Sequence, residues 1–361
     1  MDVYLFLAGM MLLAEVARRE GVFEWVAAHA VCASRGSRLR LFSLVYGVGI
    51  IVTIVLSNDA TAVVLTPAVA AAVRKARVEP LPYLFACAFV ANAASFVLPI
   101  SNPANLVVFA NAVPPLGRWL LWFGLPSLFS IVVTYVLLML LSRRDFHGDV
   151  METVEVPALR SGGRTALGAI GTTAVMLLVA SAFGAPLGAI TCACGAGMLL
   201  IVSVGDREAF VCVVRSVSWT VLILVAGLFV LVRGWETTGL LVTAEHAVGR
   251  LIERPPALSL LGAAGLSAAG SNLANNLPMG LLAGASVAAL HGHDALRAAV
   301  AIGIDLGPNL SVTGSLATIL WLIELRREKI DVSAWRFLRV GILVMPPALI
   351  LAVESILLTI R

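Results

Sequence analysis

Long uncharged stretches, separated by short charged segments, dominate the chain. A membrane-spanning helix needs about 20 consecutive apolar residues, and several stretches exceed that length. Asp59 is the one charged residue in 41–73, and Asp305 is the one charged residue in 298–323. The stretches without any charged residue are 80–117, 119–142, 165–205 and 255–290. The pattern predicts an all-α polytopic membrane protein.

The composition excludes several other classes of protein. Apolar residues make up 60% of the 361 positions and charged residues only 13%, whereas about 25% is usual for a soluble domain. A soluble enzyme, a disordered chain and a nucleic-acid-binding domain are therefore excluded, and the expected surroundings are a lipid bilayer. The five cysteines lack the spacing of metal ligands, so neither a metal nor a cofactor is predicted.

The two halves of the chain match each other. Two matches have an offset of 218 residues: Ala8-Gly9 with Ala226-Gly227, and Gly21 with Gly239. Ser57-Asn58 matches Ser271-Asn272 at an offset of 214, and Ser101-Asn102 matches Thr313-Gly314 at an offset of 212. The drift in the offset indicates small deletions between two copies of one ancestral unit.

Charge in the connections predicts that the two repeats are inverted. The first connection carries Arg74, Lys75 and Arg77, whereas the matching stretch 291–297 has only Arg297 as a basic residue. Basic residues favour the cytoplasmic side, so the two connections are expected on opposite faces of the membrane. Repeated halves with polar, proline-broken segments at matching places are typical of secondary transporters.

The repeat divides the chain into four expected parts. They are a first repeat with a hairpin and a broken helix (1–142), a polar linker (143–163), a scaffold helix pair with its loop (164–215) and a second repeat (216–361). The scaffold pair is predicted as helices 164–183 and 185–204, and no equivalent pair precedes the first repeat. Two N-terminal scaffold helices are therefore expected to be missing. Segments 21–32 and 239–250 are predicted as short interfacial helices.

Polar residues cluster inside the predicted membrane segments. The clusters are 57–61, 92–105, and the combination of 271–278 with 305–315. Unpaired polar groups in hydrocarbon cost several kcal/mol each, so the clusters must face protein or a water-filled cavity. Single Asn or Ser residues often only join helices, but matched clusters in two repeats favour a cup for a small polar solute. Asp59 and Asp305 are the stronger signals, because ionisable residues at membrane depth are usually functional.

Four runs in these clusters resemble the ArsB arsenical pump membrane proteins of the ion transporter superfamily, whose relatives include sodium/proton antiporters and dicarboxylate carriers. The runs are LSNDATAVVLTP (56–67), ANAASFVLPISNPANLVVF (91–109), NNLPMG (275–280) and IDLGPNLSVTGSLATILWL (304–322). The resemblance implies two inverted repeats, each with a re-entrant hairpin and a broken helix, divided into scaffold and transport domains. It implies a multi-pass inner (plasma) membrane permease, not an enzyme, that extrudes arsenite and antimonite. Coupling to protons, an ArsA-type ATPase partner and a homodimer are further expectations.

The motif match also implies roles for individual residues. Substrate-binding roles fall on Asn58 and Thr61 at the first hairpin tip, Ser101, Asn102 and Asn105 in the first broken helix, Asn275 and Asn276 at the second hairpin tip, and Asn309, Thr313 and Ser315 in the second broken helix. Asp59 and Asp305 are predicted to bind and release protons as the site alternates between the two sides of the membrane.

The residue chemistry leaves one main alternative open. Arsenite near neutral pH is a neutral trihydroxide, which a cup of amides, hydroxyls and backbone groups suits without formal charge. A sodium/proton antiporter is the alternative, because carboxylate and amide oxygens also suit a hard cation. A dicarboxylate carrier is disfavoured by the two acidic residues. A membrane-embedded enzyme is disfavoured because the five histidines lie outside the polar clusters.

Overall fold

The computed structural model describes residues 2–109, 113–148, 150, 155–204, 207–217, 249–288 and 293–360, with scattered positions between 218 and 248. Within these ranges the chain forms helices and no β-strand, so the predicted all-α fold is confirmed. The helices are α1 (Asp2–Arg19), α2 (Val22–Ala33), α3 (Arg38–Val55), α4 (Asn58–Ala60), α5 (Thr66–Lys75), α6 (Leu81–Ala93), α7 (Pro103–Phe109), α8 (Leu116–Leu141), α9 (Ser161–Ala182), α10 (Leu187–Val202), α11 (Arg207–Ser216), α12 (Pro256–Ala274), α13 (Asn276–Ala288), α14 (Asp294–Leu306), α15 (Leu316–Arg327) and α16 (Ala334–Thr359).

Five of the described helices are long and apolar enough to cross a membrane: α3, α8, α9, α12 and α16. Others are apolar but short. The 13-residue helices α6 and α13 rise only about 20 Å, which is less than the roughly 30 Å hydrocarbon core. Such helices enter the membrane without crossing it alone.

Each repeat contains a helical hairpin. Helix α3 turns at Leu56 and Ser57 into α4, which a π-helical turn, Thr61–Leu65, joins to α5. The Ser57 hydroxyl caps α4 by accepting a hydrogen bond from the Ala60 amide at 3.2 Å. Helix α12 turns at Asn275 into α13, and Asn275 adopts a φ of +73°. With a ψ of +153° this is a conformation that glycine adopts far more easily than other residues, so the backbone at this turn is strained.

Each repeat also contains a broken helix. Helix α6 ends at Ala93 and the chain resumes helically at Pro103, while α14 ends at Leu306 and the chain resumes at Leu316. Prolines inside the breaks cannot donate backbone hydrogen bonds. Polar side chains restart the helices: the Asn102 side-chain oxygen accepts from the Ala104 amide at 3.0 Å, and Ser315 Oγ accepts from the Thr318 amide at 3.1 Å.

The helix starts fix the register of the repeat. Helices α3 and α12 start the two hairpins, and α12 begins as many residues after α3 as α16 begins after α8. Helices α8 and α16 both have 26 residues. Helix α14 begins as many residues after α6 as α15 begins after α7, and this interval is five residues shorter than the interval between α3 and α12. The second repeat therefore has a shorter connection between its hairpin tip and its broken helix.

This register corrects two of the sequence matches. Asn58 lies opposite Asn276 and not opposite Asn272, because Ser271 and Asn272 belong to the last turn of α12. Asn102 lies opposite Ser315 and not opposite Gly314. The dipeptides matched by sequence are short, whereas helix boundaries define the structural equivalence.

The two repeats are interlocked. Helix α7 packs on α13, and α15 packs on α4, the π-helical turn and α5, so the second half of each broken helix contacts the hairpin of the other repeat. Helices α8 and α16 pack along each other. This crossing brings both helix breaks to the centre of the molecule.

Helices α1, α9 and α10 pack together beside this centre. Helix α1 packs against α10, which packs against α9, and α9 and α10 lie where the scaffold pair is predicted. The proposed four-part division stays a prediction. Helix α2 occupies the first predicted interfacial segment, while most of the second, 239–250, and part of the linker, 149 and 151–154, lie outside the described residues.

Close packing of α12 on α14 yields a stability prediction. A Cβ at Gly303 would lie 2.3 Å from the Ala264 carbonyl oxygen, whereas a Cβ at Gly265 would meet nothing within 4 Å. We expect Gly303→Ala to destabilise the protein by about 1–3 kcal/mol through overpacking, measured as a lower thermal melting temperature in detergent. Gly265→Ala on α12 is the matched control, and equal melting temperatures for the two variants would contradict the helix packing described.

Candidate functional site

A hydrogen bond between the two repeats lies at the centre of the site. Asn102 Nδ2 donates to Asp305 Oδ1 at 2.8 Å, and the two residues are 1% and 0% exposed. Asp305 Oδ2 is buried without a hydrogen-bond partner among the described residues. The side chains of Ser95 and Asn105 lie close enough to interact with this carboxyl group. The centre thus holds a carboxyl group near Ser95 and Asn105, of which one oxygen accepts from Asn102 and the other has no geometric hydrogen bond to any described residue.

A second hydrogen-bonded chain runs beside the first. Asn92 Nδ2 donates to Asn309 Oδ1 at 2.9 Å, and Asn309 Nδ2 donates to the Phe89 carbonyl at 3.0 Å. Ser315 Oγ donates to Asn92 Oδ1 at 3.5 Å. All of these side chains are fully buried. The chain ties α6 to the break and restart of the second broken helix.

Two residues hold the first helix break in shape. Asn105 Nδ2 donates to the Ser95 carbonyl at 2.8 Å, while Asn105 Oδ1 is buried without a partner among the described residues. Ser101 Oγ donates to the Ile54 carbonyl at 3.3 Å and so fastens the break to the end of α3. Side chains of the same polar cluster thereby satisfy carbonyls that the break leaves free.

At the first hairpin tip, Asn58 and Thr61 stabilise the hairpin. Asn58 Oδ1 accepts from the Asp59 amide at 3.0 Å, and the Thr61 and Thr53 hydroxyls hydrogen-bond at 2.8 Å between the two arms. Asp59 is placed differently. It is half-buried and lines a cleft between α1 and the hairpin tip.

This cleft reaches the start of the second half of each broken helix. Its wall includes Ser57 and Asp59 from the tip, apolar side chains of α1, and Pro103 and Leu316, the first residues of α7 and α15. Helix N-termini present unpaired amides and the positive end of the helix dipole. Glu15 also lines the cleft, and its carboxylate pairs with Arg18 at 2.5 Å. The cleft is therefore mainly apolar, with polar groups concentrated at the tip.

The second hairpin tip is fastened to the break of its own repeat. Asn275 Nδ2 donates to the Thr313 carbonyl at 3.4 Å, and Thr313 Oγ1 donates to the Asn272 carbonyl at 3.0 Å. Asn272 Nδ2 donates to the Gly307 carbonyl at 2.9 Å. Asn276 is buried, and its Oδ1 has no partner among the described residues. Thr313 itself is exposed.

The structure brings only some of the predicted site residues into one network. Asn102 and Asp305 form one pair, and Asn309 and Ser315 belong to the chain beside it. Asn58, Thr61, Asn275 and Thr313 make contacts that hold the hairpins, and Asp59 faces the cleft. The role of every predicted site residue stays a prediction.

Asn92 was predicted as part of the polar cluster 92–105 but was given no site role, although it connects Asn309 to Ser315. The signal that could have found it is the register of the broken helices, which sets Asn92 opposite Asp305. Asn272 was likewise missed as a link between hairpin and break. Its three hydrogen-bonding partners are spread over α12 and the second break, and that arrangement is visible only in the folded chain.

Two hairpins and two broken helices around a buried polar centre define a multi-pass membrane transporter. The chain belongs to the citrate transporter family: the family model described as "Citrate transporter" (CitMHS) matches residues 1–304. This membership and the apolar helices agree with the ion transporter resemblance found in the motifs.

Individual relatives cover nearly the whole chain. An uncharacterized transporter of Mycobacterium tuberculosis is 29% identical over 371 residues, covering 97% of this chain and 84% of the relative. The arsenical pump membrane protein of Escherichia coli K12 is 28% identical over 367 residues, covering 94% of this chain and 82% of the relative. Among solved structures, the Alcanivorax borkumensis YdaH transporter matches with a TM-score of 0.57 at 17% identity, covering 98% of this chain and 84% of that one. This structural likeness shows a shared fold.

Proposed function

We propose that the protein is a secondary-active efflux permease for arsenite and antimonite that exchanges them for protons by alternating access. The observation that carries the proposal is the buried network across the two helix breaks, in which neutral amides and hydroxyls surround the one carboxyl of Asp305. The similarity to arsenical pump membrane proteins supports this choice of substrate.

The lining chemistry matches a neutral trihydroxide. Each hydroxyl of arsenite or antimonite can donate one hydrogen bond and accept others, and the amide side chains of the network offer both functions. Asn105 Oδ1 and Asn276 Oδ1 are buried acceptors without partners among the described residues. Such groups are costly to leave unsatisfied, and hydroxyls of a bound solute would satisfy them.

Proton coupling is assigned to the two membrane-embedded aspartates. Asp305 occupies the centre, and Asp59 lies in the cleft between α1 and the first hairpin tip. We infer that protons enter through this cleft, because Asp59 lines it together with Pro103 and Leu316, the first residues after the two helix breaks. An ArsA-type ATPase and a second copy of the chain are the proposed partners.

The test is uptake of arsenite and antimonite into everted membrane vesicles energised only by an imposed proton gradient. We expect accumulation of both metalloids, and we expect it to collapse when an ionophore removes the gradient. Vesicles from cells without the protein are the control. Absence of gradient-driven metalloid uptake by folded protein would contradict the proposal.

One observation favours a second candidate, a sodium/proton antiporter. Asp305 Oδ2, Asn105 Oδ1 and Asn276 Oδ1 are all unpartnered buried oxygens among the described residues, and hard cations prefer oxygen ligands. The same vesicles distinguish the two functions, because an antiporter would dissipate the proton gradient on addition of sodium without any metalloid. Citrate is included as a further solute, since the family is named for a citrate transporter.

A further inference from the structure

The polar centre contains two hydrogen-bonded pairs that the repeat relates to each other. The register of the broken helices places Asn92 opposite Asp305 and Asn102 opposite Ser315. Asn102 donates to Asp305 at 2.8 Å, and Ser315 donates to Asn92 at 3.5 Å. Asp305 and Asn92 lie at the ends of the first halves of the broken helices, and Asn102 and Ser315 lie at the starts of the second halves. Each pair therefore joins one broken helix to the other. The two pairs occupy equivalent places in the two repeats, although the Ser315–Asn92 contact is longer and the Ser315 hydroxyl also lies 2.6 Å from Thr318 Oγ1.

The two pairs differ in one chemical respect. The second repeat supplies a carboxyl, which can hold or release a proton, while the first repeat supplies an amide, which cannot. Asn92 has partners on both sides, since its Nδ2 donates to Asn309 Oδ1 at 2.9 Å and its Oδ1 accepts from Ser315. Asp305 has one oxygen without a partner among the described residues.

We propose that Asn92 limits the polar centre to a single protonatable position, by placing an amide where the repeat would otherwise supply a second carboxyl. The proposal rests on the proposed function, in which Asp305 exchanges protons. Asn92 thereby determines how many protons the centre can hold, and it does not itself bind or release a proton.

The surroundings of position 92 dictate what a carboxyl there would do. Asn309 Oδ1 accepts a hydrogen bond from Asn92, and Asn309 cannot present its amide nitrogen instead, because that nitrogen donates to Phe89. An ionised carboxyl at position 92 would have no proton to donate to Asn309 Oδ1, so two acceptor oxygens would face each other. A protonated one would donate its O–H to Asn309 Oδ1 and still accept from Ser315. Position 92 thus favours a carboxyl that carries a proton.

No charged side chain faces Asp305 from the described helices packed against α14. Of those helices, α6, α7, α12 and α13 contain no charged residue, and the charged residues of α8 and α16, namely Arg118, Arg336, Arg339 and Glu354, are exposed. On α14 itself, Asp294 is exposed and Arg297 stacks on Phe109 at 5.7 Å. The other titratable groups of α6 and α8 have partners elsewhere: Tyr83 with Arg38, Cys87 with Thr66 and Tyr135 with Ser43.

The test counts buried protonated carboxyls by infrared spectroscopy of the purified full-length protein at neutral pH, without any transported solute. Wild type is compared with Asp305→Asn, Asn92→Asp and the exchanged variant Asn92→Asp/Asp305→Asn. We expect Asp305→Asn to lose one carboxylic acid band, Asn92→Asp to gain one, and the exchanged variant to retain one at a shifted frequency. Asp59 is common to all four proteins and cancels in the difference spectra.

The outcomes separate this inference from the proposed function. A carboxylate band in place of the new acid band in Asn92→Asp overturns the inference, and so does an exchanged variant that shows no more buried carboxylic acid bands than Asp305→Asn alone. The exchanged variant keeps the number of carboxyls unchanged, so it decides the matter if Asn92→Asp alone fails to fold. The spectra contain no metalloid, so failed arsenite transport with the expected bands would refute only the substrate assignment.

Discussion

We expect Asp305→Asn to abolish arsenite accumulation driven by a proton gradient while the protein remains folded. Asp305 is the one ionisable residue of the buried network among the described residues, and its exchange for an amide of the same shape removes the exchangeable proton. The Asn102 donor keeps an acceptor, because the new amide retains a carbonyl oxygen. The fold tolerates the change, since Asn92 already forms the neutral version of this pair with Ser315.

Everted vesicles with a fixed proton gradient provide the measurement. The matched control is Asp294→Asn, which makes the same chemical change at an exposed position in the first turn of the same helix. We expect the control to transport at the rate of wild type. Undiminished gradient-driven accumulation by Asp305→Asn would remove Asp305 from the coupling mechanism.

A second large effect is expected for Asn102→Ala. This change deletes the donor to Asp305 and the acceptor of the Ala104 amide at the start of α7. Whenever Asp305 has released its proton, Asn102 donates to a charged group; such a hydrogen bond contributes about 1.5–3 kcal/mol, which corresponds to a loss of about 10- to 150-fold in an equilibrium constant. We therefore expect the initial rate of metalloid uptake to fall by one to two orders of magnitude.

The structurally equivalent variant, Ser315→Ala, serves as the comparison. Ser315 donates to Asn92 over a longer distance, 3.5 Å against 2.8 Å, so its loss should affect transport less. Its hydroxyl also caps α15, and removal of such a cap costs about 1 kcal/mol of stability. Equal losses of transport in the two variants, at equal expression, would show that the Asn102–Asp305 pair has no special role.

The sequence predicted the membrane segments and the repeated architecture because both depend on local hydrophobic patterning. Stretches without charge became α8, α9 and α12, and the prolines at 99, 103 and 308 mark the two helix breaks. The internal register was harder to predict. The Ser-Asn dipeptide lies at the turn of the first hairpin but in the last turn of the outgoing arm of the second, so Ser271-Asn272 drew the match that belongs to Asn276.

The polar residues of the site were predictable as a group and not by their individual contacts. Residue type and membrane depth single out Asn102 and Asp305, whereas their pairing depends on how two distant helix breaks meet. Thr61 shows the opposite case, because its hydroxyl pairs with Thr53 of the neighbouring arm and not with the central network. Contacts between elements that lie in opposite halves of the chain leave no local signal in a single sequence.

The burial of the central carboxyl has an electrical consequence. Asp305 is fully buried at a helix break, inside a segment that we expect in the membrane. A proton that reaches Asp305 from either side therefore crosses part of the membrane potential and not all of it. Since a full crossing is worth about 2.3 kcal/mol per 100 mV, we expect voltage to change the rate at which Asp305 takes up its proton.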